Sequence, residues 1–103
     1  MPPTASSAPA VIYVNVGDSS SFNCITTGIP SPNITWYRSG QKVISSSHYE
    51  VISVTANSSK LNIINVTHDD QGYYECRATS NRMDPAEAIS FLGVIKGTFL
   101  VYM

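Results

Sequence analysis

The chain has 103 residues, the size of one domain, and 43% of them are hydrophobic, enough for a single modest core. Its net charge is -1, and its 6 Lys and Arg are scattered without a basic run, so it lacks the electrostatic footprint of a nucleic-acid or anionic-membrane binder. No apolar run approaches the roughly 18 to 20 residues that span a bilayer, and the stretch after Met1 has neither the basic start nor the hydrophobic centre of a leader.

In chain order, residues 1–9 are rich in Pro, Ala and Ser and read as a linker or frayed terminus, because they hold too little apolar surface to order themselves. A fragment of a larger parent protein is expected, with any leader or membrane anchor outside these residues. From residue 10 short β-prone segments alternate with turn residues, the pattern of an all-β sandwich. Strands are expected over residues 11–16, 19–26, 33–38, 41–44, 49–54, 60–66, 73–79 and 88–95. Gly17-Asp18, the Gly- and Pro-rich stretch 28–32, Ser39-Gly40, Asn57-Ser58 and Asp84-Pro85 separate them. Period-two alternation puts Phe22 with Cys24 on one face, then Ile34 with Trp36, Leu61 with Ile63, and Tyr74 with Cys76 and Ala78; these define the core. Residues 96–103 form an apolar C-terminal extension carrying Phe99, Leu100, Val101, Tyr102 and Met103. It is too short to span a membrane, and burial against an open sheet edge or a second molecule is expected.

Three motifs sharpen this reading. Cys24, Trp36 and Cys76 have the order and spacing of an immunoglobulin domain. Asp70-Gln71-Gly72-Tyr73-Tyr74-Glu75-Cys76 follows the pattern Asp-x-Gly-x-Tyr-x-Cys, and Gly28-Ile29-Pro30-Ser31-Pro32-Asn33-Ile34-Thr35-Trp36 follows Gly-x-Pro-x-Pro-x-apolar-x-Trp. On these residues the chain resembles the I-set branch of the immunoglobulin superfamily, as found in neural cell adhesion and fasciclin-like proteins and in receptor ectodomains. The resemblance implies a two-sheet Greek-key sandwich over residues 10–95, with one cysteine in each sheet, Trp36 between them, and the Tyr74 hydroxyl bonded to upstream backbone. Two positions depart from the pattern within the domain. Ser20 stands where the branch buries an aliphatic side chain, which predicts a core there that is thinner or covered by neighbours, and no Gly follows Ala78 in the turn before the last strand.

The cysteines allow two readings, a Cys24–Cys76 disulfide or two buried thiols as in cytosolic relatives. A bridge would close a loop of about fifty residues and stabilise the fold by roughly 4 kcal/mol. The sequons Asn33-Ile34-Thr35, Asn57-Ser58-Ser59 and Asn65-Val66-Thr67 point to the secretory pathway and therefore to the bridge. Glycan acceptance is expected at Asn33, Asn57 and Asn65. For catalysis, no nucleophile–base–orienter set, paired carboxylates or metal-ligand spacing stands out. The nearest candidate, His68-Asp69-Asp70, falls in a turn where the family gives Asp70 a role beside the buried tyrosine, so no enzyme activity, metal or cofactor is expected. His48 falls near the position where many immunoglobulin domains place an arginine against that aspartate. An exposed, unpaired His48 is the plainer reading and a contact with Asp70 the alternative.

The resemblance implies binding to protein, often to another immunoglobulin domain. With Ile34, Trp36, Tyr74, Cys76 and Ala78 inward, Tyr37, Tyr73, Glu75 and Arg77 must face outward. Phe91 or Leu92 joins them, depending on the register of the last strand. Tyr37, Tyr73, Arg77 and Phe91 either form an interface or simply cover the sheet. The first functional expectation is an extracellular adhesion domain making homophilic or heterophilic contacts, with dimerisation through this face or through residues 96–103. The alternatives are a ligand-binding or spacer domain of a receptor tyrosine kinase or phosphatase, and a structural domain of an intracellular muscle giant.

Overall fold

Short segments with one apolar side chain in every two residues can bury that side only by stacking two sheets face to face. The computed structural model, which describes residues 1–81 and 83–95, has this arrangement. Among the described residues the strands are β1 (Thr4–Ala8), β2 (Val11–Asn15), β3 (Ser20–Thr27), β4 (Asn33–Arg38), β5 (Gln41–Lys42), β6 (Tyr49–Thr55), β7 (Ser58–Ile63), β8 (Gly72–Thr79) and β9 (Ala86–Ile95). One sheet has the order β1-β3-β7-β6 and the other β2-β9-β8-β4-β5. The β2–β9 pair is parallel and every other pair antiparallel. The expected extension over residues 96–103 lies outside the described residues.

Ile34, expected in the core, is only partly buried and packs against it, while Val43, Val66 and Leu92 are buried. Phe22, Cys24, Trp36, Leu61, Ile63, Tyr74 and Cys76 are buried, and a Cys24–Cys76 disulfide joins the two sheets. Trp36 stands directly across from Cys76 in the β4–β8 register. Its indole Nε1 donates to Ser59 Oγ of the opposite sheet at 3.0 Å. Ser59 in turn donates to the carbonyl of Ile52 at 3.1 Å, so a polar chain crosses the core with its partners matched.

The N-terminal stretch differs from the linker reading. Thr4–Ala8 pair antiparallel with β3 from Thr4 opposite Thr27 to Ala8 opposite Asn23. The ordering comes from backbone pairing and not from large apolar side chains. Ala5 packs on the core, and Ser7 Oγ meets Ser90 Oγ of the other sheet at 2.7 Å. Small side chains are needed where the sheets approach this closely, and small-residue composition is what the linker reading rested on. After Pro9, which cannot donate to a ladder, the chain leaves this sheet and enters the other as β2. Elsewhere β2, β5 and β7 end earlier than expected, while β6, β8 and β9 are longer. β5 keeps two residues because Val43 turns inward, donating to the Trp36 carbonyl at 2.8 Å. β7 ends at Ile63 before a turn in which Asn65 adopts φ 55°.

Ser20 is buried at 5% exposure and its Oγ finds no hydrogen-bond partner among the described residues. A recess of about 440 Å³ lined by Ile12, Ser20, Asn62 and Ile64 lies beside it. Ser20 is thus covered by its neighbours, with a recess beside it and an unsatisfied hydroxyl. Ser20→Val should raise unfolding stability by about 1 to 2 kcal/mol, because a methyl replaces a buried donor without a partner. Chemical denaturation of the two proteins checks it.

Tyr74 is fully buried and donates to the Asp70 carbonyl at 2.6 Å. Burial raises its hydroxyl pKa well above the ordinary value; Arg38 opposes the shift and Tyr49 and Asp70 reinforce it. A pKa that is higher folded than unfolded gives stability that is complete below about pH 10 and declines as the pH rises beyond it. Tyr74→Phe should cost about 1 kcal/mol near neutrality through the lost hydrogen bond and should flatten the alkaline decline. Denaturation midpoints measured from neutral to alkaline pH test both halves of this expectation.

Candidate functional site

The outward side chains of the five-stranded sheet fall into two zones. The first lies on β2, β9 and β8, where Val11 stands opposite Phe91 and Phe91 opposite Tyr73. The Phe91 ring contacts Tyr73 at a centroid distance of 5.0 Å and Tyr13 at 6.3 Å, edge to face in the latter case. Tyr13 is 63% exposed, Tyr73 67%, Val11 55% and Ile89 58%, so this row is a contiguous apolar surface and not one isolated aromatic. A shallow depression of about 410 Å³ lies among Val11, Tyr13, Tyr73, Ile89 and Phe91.

Gly93 makes the first zone possible. It lies opposite Tyr13 in the β2–β9 register, and a Cβ built on it would fall 2.2 Å from both Cδ1 and Cε1 of the Tyr13 ring, a severe clash. The absence of a side chain lets that ring lie flat across β9 toward Phe91.

The second zone is charged and internally paired. Arg77 Nε and Nη2 reach Glu75 Oε2 at 2.9 and 2.8 Å, and the guanidinium lies 4.1 Å over the Tyr37 ring. Arg77 and Glu87 stand opposite one another in the β8–β9 register. A hydrogen bond donated by the Glu87 carboxyl to Glu75, reinforced by the Glu75 charge, holds Glu87 above the usual carboxylate range, and the hydrogen bond that Arg77 donates to Glu75 raises Arg77. Two carboxylates thus lie beside Arg77, whose ion pair is made to Glu75.

The sheet register places Phe91 outward and Leu92, fully buried, inward. Tyr73 and Phe91 therefore share one zone, while Tyr37 and Arg77 occupy the next. Sequence reasoning passed over Val11, Tyr13, Ile89 and Gly93. The alternation of Val11 and Tyr13 against Ile12 and Val14 was the available signal, since β2 has the burial pattern of a strand with one outward face.

His48 and Asp70 come together, against the plainer reading of an unpaired histidine. His48 Nε2 lies 2.6 Å from Asp70 Oδ1. The same carboxylate accepts from the Thr67 backbone N–H at 2.7 Å, and Arg38 Nη1 lies 3.8 Å away. Arg38, which sequence reasoning did not single out, also donates to the carbonyls of Asp69 and Gln71 and lies over the Tyr74 ring. These contacts fix the turn His68–Asp70 and leave Asp70 buried and committed to structure.

Asn33 is exposed at the start of β4, Asn65 is exposed in the turn after β7, and Asn57 is half-buried between β6 and β7. Asn33 stands opposite Thr79, six residues along β8 from Tyr73, which is roughly 20 Å at strand rise.

The sequence profile of the immunoglobulin I-set domain matches residues 3–94. Protein turtle of Drosophila melanogaster is 37% identical over 78 residues, covering 75% of this chain and 5% of its own length. The N-terminal two-domain immunoglobulin module of the Drosophila receptor protein tyrosine phosphatase DLAR superposes with a TM-score of 0.85. It is 33% identical, with 94% of this chain and 50% of that one covered. A titin–obscurin-like immunoglobulin complex superposes at a TM-score of 0.81 and 22% identity over 95% of this chain and 98% of that one, a likeness of fold alone. The chain spans about 1 to 6% of the length of the first curated relatives it matches.

Gly93→Ala should displace the Tyr13 ring and destabilise the domain by about 1 to 3 kcal/mol. The double variant Gly93→Ala, Tyr13→Ala should recover most of that loss, because the clash partner is gone. Denaturation of the wild type, both single variants and the double gives the coupling.

Proposed function

Because the chain belongs to the immunoglobulin I-set family, we propose that it is an extracellular, non-enzymatic protein-binding domain of a cell-adhesion molecule, and that the aromatic zone on β2, β9 and β8 is its contact surface. The observation that carries this reading is the row Tyr13–Phe91–Tyr73, in which Phe91 contacts both tyrosines and the outer two rings are largely exposed. Tyrosine and other aromatics are enriched where interfaces draw their energy. The Cys24–Cys76 bridge and the sequons at Asn33, Asn57 and Asn65 support an extracellular setting, since disulfides persist in oxidising compartments. The partner is a protein surface, homophilic contact with another immunoglobulin domain being the first case.

Three rings and two aliphatic side chains offer on the order of 500 Å², below the roughly 800 Å² per partner of a standard interface. A single domain should therefore associate weakly. The zone would gain strength where several copies engage at once.

A second reading, a ligand-binding or spacer domain of a receptor ectodomain, is favoured by the 33% identity to the receptor phosphatase module. The binding face would be the same and the partner a different protein. The disulfide and the sequons argue against an intracellular structural domain.

Sedimentation velocity over a concentration series tests homophilic contact. Reversible self-association is expected, weakened at least ~10-fold by Tyr73→Ala. A chain that stays monomeric up to ~1 mM removes homophilic contact and leaves a heterophilic partner. Self-association that survives Tyr73→Ala but disappears on deletion of residues 96–103 would assign it to the C-terminal extension.

A further inference from the structure

We infer that Asn33 is an N-glycan acceptor and that its glycan covers the open edge of the sandwich between β4 and β6. The inference rests on the extracellular reading above but not on the aromatic zone. Its starting point is what the hydroxyl of each sequon does in the fold. Ser59, third in the sequon of Asn57, is buried, accepts from Trp36 Nε1 and donates to the Ile52 carbonyl. Thr67, third in the sequon of Asn65, caps the turn His68–Asp70, with its backbone N–H and hydroxyl both directed at Asp70 Oδ2. The core and the cap account for both hydroxyls.

Thr35, third in the sequon of Asn33, is different. Its Oγ1 is buried and makes no hydrogen bond among the described residues. A β-branched residue suits this strand position, but valine would supply the branch without a polar group left unmatched. The hydroxyl is thus a cost to the fold, and a sequon is the chemistry that requires one two residues after an asparagine.

The surroundings of Asn33 give the sugar a physical role. β5 pairs only with Tyr37 and Arg38, so the first half of β4 has no strand on that side. β6 is the outermost strand of the other sheet. Between these edges lies a recess of about 330 Å³ lined by Pro32, Asn33, Ile34, Val51, Ser53 and Ser59. Unpaired strand edges recruit other strands, and a bulky hydrophilic group at the rim prevents it. Asn33 is exposed at that rim.

In the transfer itself, the Asn33 carboxamide nitrogen attacks the anomeric carbon of an oligosaccharide carried on a polyprenyl diphosphate. The N–C bond forms as the C–O bond to the diphosphate breaks. The amide proton passes to a base of the transferase, and the polyprenyl diphosphate leaves.

The experiment uses the full chain secreted from eukaryotic cells. Peptide mapping after glycosidase treatment, which converts a glycosylated asparagine to aspartate, should show Asn33 modified. N33Q and T35V should each lose one glycan by mobility and T35S should keep it. N33Q should self-associate at least ~10-fold more strongly than the wild type, and the increase should persist in the N33Q/Y73A double variant, because it arises at the edge and not at the aromatic zone. Secreted protein in which Asn33 is bare while Asn57 or Asn65 is modified overturns the inference and leaves the extracellular reading intact. An N33Q chain that self-associates no more than the wild type overturns the protective role. Sensitivity of the increase to Y73A would relocate it to the aromatic zone and equally overturn it.

Discussion

The constraint on which the rest of the structure depends is the clamp formed by Cys24, Cys76 and Trp36. The disulfide joins β3 to β8, Trp36 stands in register with Cys76 on β4, and its indole reaches Ser59 on β7. Two strands of each sheet are thereby held at one level. Because side chains alternate with period two, once Trp36 and Cys76 point inward Tyr37, Glu75 and Arg77 have no freedom to do so. The β8–β9 pairing then carries the same phase to β9, turning Ser90 and Leu92 in and Ile89 and Phe91 out. The outer surface is thus set by the core, one strand at a time.

A second, polar anchor stands at one end of that clamp. Tyr74 follows Cys76 inward by one alternation, and its hydroxyl donates to the Asp70 carbonyl. The Asp70 carboxylate satisfies the Thr67 backbone and meets His48, with Arg38 nearby. A buried carboxylate is tolerated when donors converge on it, and here they come from three separate segments. The anchor therefore joins the turn before β8, the end of β4 and the approach to β6. Ser20 shows the opposite case, since its buried hydroxyl has no such partner and a recess lies beside it.

The legible part of this chain was the part governed by large side chains. Cysteine, tryptophan and tyrosine at fixed spacing marked the core, and alternation placed Tyr37, Tyr73 and Arg77 on the outer face. What stayed hidden depended on small residues and long-range register. The strand Thr4–Ala8 is ordered by backbone pairing with β3 and by close sheet approach, neither of which leaves an apolar signature. Gly93 has meaning only beside Tyr13, eighty residues earlier in the chain and adjacent through a parallel pairing that local pattern does not reveal. The choice between Phe91 and Leu92 likewise required the register of β9 against β8. Arg38 looked like the last residue of an ordinary strand, and its role depends on carbonyls of Asp69 and Gln71 brought near by the fold.

On the contact surface proposed above, the two zones of the outer face would divide energy from specificity. Desolvating Tyr13, Phe91 and Tyr73 releases apolar area at little entropic cost, because rings already held against one another have few rotamers to lose. The charged zone offers less energy, since Arg77 is already bonded to Glu75 and stacked on Tyr37. It does carry direction. Glu75 and Glu87 lie beside Arg77, and the raised Glu87 carboxyl reflects the crowding of the two carboxylates. A surface that docks on the rings and brings an acidic group beside Glu87 meets repulsion, whereas one that brings a lysine or arginine relieves it. On the contact surface proposed above, discrimination between partners would then arise at the charged rim, while the aromatic row would supply an attraction common to all of them.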